Sequence, residues 1–519
     1  MPTRTLAWLM MVGLGASACS QPVSPDAGST PVEPEPEPVA VIEEPPVEPE
    51  PEPEPEPAPL PPGPVRTVET AEAHARAQER LLRGGHLPLL HPVPLPEEVG
   101  VETTDVSEAV TEAEAEAEAE TEAEPSPAPM PGYFIPVTDP DSGPALAHFH
   151  AALQALVEGR DPDGKVRVAM YGASGTAADL GVGYIRTYLQ TRFGDGGPGF
   201  VPLAPLSRWY RHNEVKVQAS KGWQKEHAQV RSGRLDGHYG LLGASFTATK
   251  KKQWSTVEPK KKSTSSQELA KVELFFLRHP GGGSFRFSLD DGPAVVVSTD
   301  GEELGPGYHA LEVEPGPHRL RVETIDEAEV RVFGVVLERN DPGVVVDVLG
   351  IDGTRGPNHL AWNEPLWADN LARRAPDLYT LSYGTNESVD EEMSIPLYAE
   401  DLRAQLHRFQ RALPEASCLI IGPVDFPIRE DGELRTRTQL NEIIEVQRHI
   451  AAQEGCGFWD GVAFMGGEFS METWVNADPP LARGDYLHFN ARGAARKGMA
   501  LSDALMYGFD ARAMLAGGG

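Results

Sequence analysis

The chain has 519 residues, with 78 acidic and 45 basic side chains and a formal net charge of -33. This acidic balance excludes nucleic acid as the main partner, because phosphate binding needs clustered Lys and Arg. Three cysteines are too few for a disulfide framework. The sequence contains no cluster of Cys and His that would bind a metal. The glycine-rich run at 193–200 lacks the Lys of a phosphate loop. We therefore expect neither a metal nor a cofactor.

The first 18 residues have the pattern of an export signal. Arg4 precedes an apolar run at 6–14, which is too short to span a bilayer, and small residues follow at 16–18. Cys19 comes next, and Ala-Ser-Ala-Cys resembles the bacterial lipobox, which implies a lipid anchor on Cys19. Ordinary cleavage beside an incidental cysteine is the alternative. Ser20, by resemblance to the usual sorting rule, favours the outer membrane of a bacterial cell envelope.

Residues 19–132 have the composition of a tether. Between residues 31 and 64, 15 of 34 residues are Pro and 10 are Glu. Missing amide donors and repulsion between like charges keep such a segment extended and solvated. We therefore expect disorder over 19–132, interrupted at most by a short helix at 67–82 and a docking segment at 87–93.

From residue 133 onward, strand and helix patterns alternate. Strands are predicted at 165–171, 344–349, 378–383, 418–421 and 457–460, and helices at 179–193, 359–374, 398–413, 438–453 and 491–506. This alternation predicts a parallel five-stranded sheet with helices on both faces, a three-layer α/β/α domain over 133–203 and 341–519.

The segment between the two halves, 204–340, has a different pattern. Short alternating strands are predicted at 271–277, 284–289, 309–313, 318–322 and 329–337. They predict an inserted antiparallel β-sandwich. Lysine triplets at 250–252 and 260–262 would either bind acidic glycan or peptide carboxylates or form solvated loops. Trp209 and four other tryptophans would either stack on sugar rings or pack in the core.

Polar residues and glycines follow three of the predicted strands. Ligands of a parallel α/β sheet bind beyond the carboxyl ends of its strands. Ser174 follows the first strand in a tight turn, where its hydroxyl would be exposed at a helix N-terminus or would simply cap that helix. Glycines at 350–356 would let the backbone approach a substrate, and Asn386 offers an amide donor, although ordinary turns have the same composition.

Asp485 and His488 lie just before the last predicted helix. Three-residue spacing lets an aspartate accept from one imidazole nitrogen while the other takes a proton from a serine. A surface Asp-His pair is the alternative. These four groups of residues occur in order at the strand ends of one sheet, and their coincidence favours a shared site.

Together these blocks resemble the SGNH, or GDSL-like, hydrolase family over most of 166–203 and 343–508. The resemblance implies a flavodoxin-like fold in which Ser174 is the nucleophile and Asp485 and His488 complete the triad. It also implies that the Ser174 and Gly353 amides and the Asn386 side chain form an oxyanion hole.

Three longer runs, GASGTAAD, FGDGGPGF and LSYGTNE, resemble bacterial envelope esterases that remove O-acetyl groups from peptidoglycan. Those enzymes carry a β-sandwich that resembles a carbohydrate-binding domain, inserted after the first block. The resemblance implies a serine esterase that deacetylates an envelope glycan through an acyl-enzyme. We expect the protein to be a monomer. A non-catalytic carbohydrate-binding lipoprotein and a lipase are the alternatives.

One position departs from the family pattern. Ala173 stands where the family has the Asp of Gly-Asp-Ser, which predicts a less precisely held loop before any loss of chemistry.

Cys418 and Cys456 lie at the starts of successive predicted strands. They would form either a disulfide in an oxidising compartment or two buried thiols.

Overall fold

The computed structural model describes residues 132–517 apart from 230–233, 264 and 291, with side chains up to residue 511. The expected export signal, Cys19, the segments at 67–82 and 87–93 and almost all of the expected tether lie outside the described residues. Within the described ranges, no helix is both long and apolar enough to cross a membrane.

The first half of the α/β domain forms around one central strand. Its elements are α1 (Ala147–Val157), β1 (Lys165–Gly172), the short helix α2 (Ser174–Ala177) and α3 (Gly181–Phe193). Every residue of β1 is buried. Val168 and Met170 pack into one apolar cluster, and Ala169 and Tyr171 pack into another. Because successive side chains of a strand point to opposite faces, this burial means that both faces of the sheet are covered.

The inserted segment forms two antiparallel sheets. Its strands are β2 (Gly199–Pro202), β3 (Val215–Ala219), β4 (Gln224–His227), β5 (Ala244–Ala248), β6 (Trp254–Pro259), β7 (Leu269–Arg278), β8 (Ser284–Leu289), β9 (Val295–Ser298), β10 (Gly305–Gly316), β11 (Leu320–Thr324) and β12 (Val330–Glu338), with a 3-10 turn at Ser265–Gln267. One sheet has the order β10-β7-β12-β5-β4 with β2 beside β12, and the other has the order β3-β6-β11-β8-β9. Apolar side chains from both sheets, such as Phe246 and Phe285, form one buried cluster.

Strand β2 lies in the range that the sequence assigns to the α/β half, yet its backbone pairs with β12, with Val201 opposite Val335. This pairing brings the two ends of the insertion together.

The second half completes the α/β domain. Its elements are β13 (Gly343–Gly350), α4 (Glu364–Arg374), β14 (Leu378–Ser382), α5 (Ile395–Ala412), β15 (Ser417–Ile421), β16 (Ile428–Glu430), β17 (Glu433–Arg435), α6 (Thr438–Gln453), β18 (Gly457–Trp459), α7 (Gly461–Met465), α8 (Ser470–Val475) and α9 (Ala491–Gly517), with 3-10 turns at Gly356–Ala361 and Glu387–Val389. The prediction of one helix over 359–374 is wrong for its first turn, because the α-helix begins only at Glu364. The predicted helix breaks after Ala361, because Asn363 caps α4 by accepting from the Leu366 amide at 3.0 Å.

The main sheet has the order β13-β1-β14-β15-β18, and all its pairs are parallel. The predicted three-layer α/β architecture is therefore confirmed. Cys418 in β15 forms a disulfide with Cys456, which directly precedes β18. This bond excludes the alternative of two buried thiols and joins neighbouring strands.

A buried ion network joins the insertion to the sheet. Glu338 at the end of β12 accepts from Arg374 at 2.7 Å and from Arg167 at 3.1 Å, and Arg374 also donates to Asp347 in β13 at 2.8 Å. Burial alone would raise the pKa of Glu338, but Arg374 and Arg167 hold it well below its ordinary value. This network thus links β12 of the insertion to β1, β13 and α4 of the α/β domain.

Candidate active site

Four loops meet in one open cleft beyond the carboxyl ends of β1, β13 and β14. The cleft has a volume of about 2390 Å³, and Ser174, Gly353, Asn386, Asp485 and His488 are all among its lining residues. The residues that the sequence singles out are thus brought together. Pockets for small molecules usually measure about 300–1,000 Å³, so this cleft has room for part of a polymer.

Ser174 is the first residue of α2, two residues after the end of β1. The Ala173 carbonyl accepts the Thr176 and Ala177 amides at 3.1 Å and 3.0 Å, which closes the turn. The turn sits directly on β13: a Cβ atom on Gly350 would lie 2.3 Å from the Ala177 nitrogen. A side chain at this position would therefore push α2 away from the sheet.

The turn after Ser174 is held by a buried carboxylate that sequence reasoning missed. Asp179, with φ +54°, accepts from Arg186 at 2.7 Å and from the Asn213 amide at 2.6 Å. The Asp179 and Arg186 side chains are fully buried. Asn213 lies on the loop that leads into β3. The insertion thus takes part in holding the turn that follows the serine.

His488 lies between the serine and the aspartate. Its Nε2 is 3.2 Å from the Ser174 Oγ, and its Nδ1 is 2.8 Å from the Asp485 Oδ2. The Asp485 Oδ1 accepts the amides of Leu487 and His488 at 3.0 Å and 2.9 Å. Partial burial would raise the pKa of Asp485, but the hydrogen bonds from His488 and Leu487 hold it below its ordinary value. An ionised Asp485 keeps the proton of the neutral imidazole on Nδ1, so Nε2 is free to accept from the serine.

Two further groups line the same cleft as the serine. Gly353 has φ +71°, a left-handed conformation that favours glycine. Asn386 donates one amide hydrogen to the Thr354 carbonyl at 2.8 Å, which orients its carboxamide and leaves the second hydrogen for a ligand. Both are uncharged donors of the kind that stabilises a developing oxyanion.

The loops that carry these donors share a second carboxylate that was not predicted. Glu387 is buried, and it accepts the Gly356 amide at 2.7 Å and the Gly384 amide at 2.9 Å. Burial raises the pKa of Glu387, although the backbone amides oppose that shift. One side chain therefore fixes the distance between the Gly353 and Asn386 loops. A signal in the sequence was an acidic residue in the loop just past a buried strand, because such a residue needs hydrogen-bond partners if the loop folds inward.

Comparison with known proteins indicates the kind of domain that forms the later part of the chain. Residues 321–496 match the GDSL-like Lipase/Acylhydrolase family, a range that starts in the sandwich and does not include Ser174. A solved structure described as a peptidoglycan O-acetylesterase in action is 25% identical, with a TM-score of 0.60. The similarity covers 72% of this chain and 99% of that one. No curated protein sequence matches the chain.

Two other solved structures are less similar. A family two carbohydrate esterase from Cellvibrio japonicus is 10% identical over 57% of this chain and 98% of that one, with a TM-score of 0.25. A mutant acetyl-xylooligosaccharide esterase from Geobacillus Stearmophilus is 18% identical over 32% of this chain and 73% of that one, also with a TM-score of 0.25. At these TM-scores neither supports an argument.

The parallel sheet, the family match over the later blocks and the likeness to the O-acetylesterase all agree. Residues 321–496 therefore carry a GDSL-like lipase/acylhydrolase domain, and the comparisons support a carboxylic ester hydrolase of the SGNH type.

Proposed function

We propose that this esterase removes O-acetyl groups from a cell-envelope glycan, with Ser174, His488 and Asp485 as its catalytic residues. The observation that carries the proposal is the continuous contact from the Ser174 Oγ to His488 Nε2 at 3.2 Å and from His488 Nδ1 to Asp485 at 2.8 Å. The likeness to a solved peptidoglycan O-acetylesterase supports an acetyl ester of a glycan as substrate.

The first half-reaction forms an acyl-enzyme. His488 Nε2 takes the Ser174 hydroxyl proton as Oγ attacks the ester carbonyl carbon, and negative charge develops on the carbonyl oxygen. The Ser174 and Gly353 amides and the Asn386 side chain donate to that oxygen. The bond to the sugar oxygen then breaks, the imidazolium returns its proton to that oxygen, and acetyl-Ser174 remains.

Water completes the cycle. His488 takes a proton from water as the water oxygen attacks acetyl-Ser174, the same donors hold the oxyanion, and the ester bond to Oγ breaks. The proton returns to Oγ, and acetate is released. Asp485 stays ionised throughout and stabilises the imidazolium in both steps.

The substrate is tested by measuring acetate release from O-acetylated peptidoglycan and from acetylated xylan. We expect release from peptidoglycan by the wild type and none above background by Ser174→Ala. Release from xylan alone would place the substrate outside the cell envelope. Release from neither polymer, with hydrolysis of a small acetyl ester, would exclude glycan deacetylation.

We also propose that the protein is anchored to the envelope through a lipid on Cys19, with 19–132 as the tether. The support is the Ala-Ser-Ala-Cys run after an apolar core. Labelling of cells with a fatty acid carrying a click handle would show a labelled protein for the wild type. A Cys19→Ser variant labelled to the same extent would contradict the anchor.

A further inference from the structure

The acidic residues that line the cleft already have partners. Asp195 contacts Arg339 at 3.5 Å, Glu214 accepts from Ser263, Glu258 contacts Lys216 at 3.1 Å, Asp352 accepts from Ser207, and Asp485 contacts His488 at 2.8 Å. Cations compensate the charge of Asp195 and Glu258 only, whereas the other three carboxylates have uncharged partners.

Several cations that line the same cleft have no such compensation. The lysines of the triplet at 260–262, together with Arg211 and Lys497, form no ion pair within the described part of the chain. Burial lowers the pKa of Lys497 to about 8. An incoming anion would stabilise all of these cations, because it would supply the missing counter-charge.

The other lysine triplet differs in position. Residues 250–252 are not among the residues that line the cleft, and Lys251 contacts Glu327 at 3.6 Å on an exposed part of the sandwich. The two triplets have the same composition, and both belong to the insertion. A role in the cleft can therefore be assigned to the triplet at 260–262 and tested against its matched counterpart.

Hydrogen bonds connect the triplet at 260–262 to the turn after Ser174. The triplet directly follows β6, where Pro259 pairs with Val215 of β3. The Lys260 amide donates to the Glu214 carbonyl at 2.9 Å, and the neighbouring Asn213 amide donates to Asp179 at 2.6 Å. The backbone of the triplet thus keeps a defined position along the cleft.

Trp209 adds an aromatic surface to the cleft. Its side chain is 47% exposed, and guanidinium groups lie near its ring, that of Arg208 at 4.6 Å and that of Arg483 at 5.7 Å. Arg483 precedes Asp485 and accepts the Tyr486 amide at 3.2 Å, whereas Ser207 donates to Asp352 beside Gly353. An exposed indole held between two catalytic loops offers an apolar face to a sugar ring.

We propose that the inserted sandwich makes this cleft selective for carboxylate-bearing glycans, with the triplet at 260–262 binding substrate carboxylates and Trp209 packing against a sugar ring. This inference rests on the proposed function, which supplies the glycan substrate. The new element is that the preferred glycan carries negatively charged carboxylates. Carboxylates of this kind occur on peptide-substituted amino sugars and on uronic acids. Both sources share the chemistry that unpaired lysines recognise.

The test measures binding rather than turnover. Full-length protein is titrated in a calorimeter with three non-acetylated oligosaccharides: a muramoyl-peptide fragment, an oligogalacturonate and a neutral chitooligosaccharide. We expect at least one carboxylated ligand to bind roughly tenfold or more tightly than the neutral one at low salt. Which carboxylated ligand binds identifies the source. The difference should shrink in 0.5 M salt, because salt screens exposed charges.

Three variants assign the effect. Replacing Lys260, Lys261 and Lys262 with Gln should weaken binding of the carboxylated ligand roughly tenfold. Replacing the triplet at 250–252 in the same way should change it less than about twofold, since exposed charges far from a ligand contribute little. Trp209→Ala should weaken binding of charged and neutral oligosaccharides alike, and Trp209→Phe should restore part of it.

The outcomes separate this inference from the proposed function. Equal effects of the two triplet variants, or equal binding of neutral and carboxylated ligands, would overturn the inference even if acetate is released from glycan. The expected binding pattern without acetate release would uphold the inference and contradict deacetylation of the bound glycan.

Discussion

The Asp485 carboxylate contacts His488 twice: Oδ2 lies 2.8 Å from the imidazole Nδ1, and Oδ1 accepts the backbone amide of the same histidine at 2.9 Å. An Asp485→Asn change replaces an anion with a neutral carboxamide that can hold the wrong tautomer of the imidazole. We expect kcat on a small acetyl ester to fall roughly 10³- to 10⁴-fold with little change in KM.

The matched control for Asp485 is Glu472→Gln, an exposed carboxylate on α8 that does not line the cleft. Its kcat should stay within about twofold of the wild type, as expected for a surface change. Equal kcat values for Asp485→Asn and the wild type would exclude Asp485 from the reaction.

Glu387 should position the donor loops, because both of its oxygens accept buried amides, from Gly356 and Gly384. In Glu387→Gln only one side-chain oxygen remains as an acceptor, so one of the two amides loses its partner. We expect the free energy of unfolding to fall by about 1–3 kcal/mol. In steady-state kinetics, kcat of Glu387→Gln should fall by a larger factor than the factor by which KM rises.

For Glu387, the control is the exposed Glu392→Gln. A purely structural role would leave kcat of the folded Glu387→Gln protein at the wild-type value, and that result would remove Glu387 from the positioning of the donors.

Gly350 should tolerate no side chain, because a Cβ atom there would lie 2.3 Å from the backbone nitrogen of Ala177. Gly350→Ala should displace α2 and the serine that begins it. We expect a loss of activity on a small acetyl ester of at least roughly 10²-fold, since misplacement of a reacting group by about 1 Å has effects of this size. Circular dichroism would show whether the fold persists.

Gly305→Ala is the matched change, because a Cβ atom at that position would meet nothing within 4 Å. It should retain wild-type activity. If Gly350→Ala also retained it, the packing of α2 on β13 would not control the serine.

The network around Glu338 predicts how stability depends on pH. Its folded pKa is depressed by Arg374 and Arg167 against the effect of burial, so the stabilisation is present above the unfolded pKa of Glu338 and is lost as pH falls. Glu338→Gln removes the anion that Arg374 and Arg167 share, although Arg374 keeps Asp347 and Arg167 keeps Asp163. We expect the free energy of unfolding to fall by about 1–3 kcal/mol near neutral pH, measured by urea unfolding.

The control for the Glu338 network is a series of unfolding measurements at decreasing pH. The difference in free energy of unfolding between the wild type and Glu338→Gln should become smaller at low pH. A Glu327→Gln variant, which removes an exposed pair with Lys251, should have the free energy of unfolding of the wild type at every pH. A constant difference at all pH values would contradict the linkage.

Regular periodicity made part of the fold predictable. Helix α6 at Thr438–Gln453 and strand β8 at Ser284–Leu289 have the predicted bounds, because their apolar residues recur at one period. Helix α1 and strands β3–β6 were not predicted. Strand β4, with the sequence QKEH, has no apolar pattern and exists through its pairing with β5.

The candidate site divides in the same way. Ser174, Gly353, Asn386, Asp485 and His488 could be found because each follows or precedes a recognisable element. The sequence could not predict that the triplet at 260–262 lies beside these residues. This position depends on the packing of the insertion, as in the Arg211 amide donating to the Ala177 carbonyl at 3.0 Å, and no local pattern encodes such a contact.

The most direct test of the central claim is labelling with a fluorophosphonate probe, followed by mass spectrometry of the labelled peptide. An activated serine beside His488 should carry the probe on Ser174, and Ser174→Ala and His488→Ala should both lose it. Absence of label on the wild type, or label of equal extent on Ser174→Ala, would contradict an acyl-enzyme on Ser174.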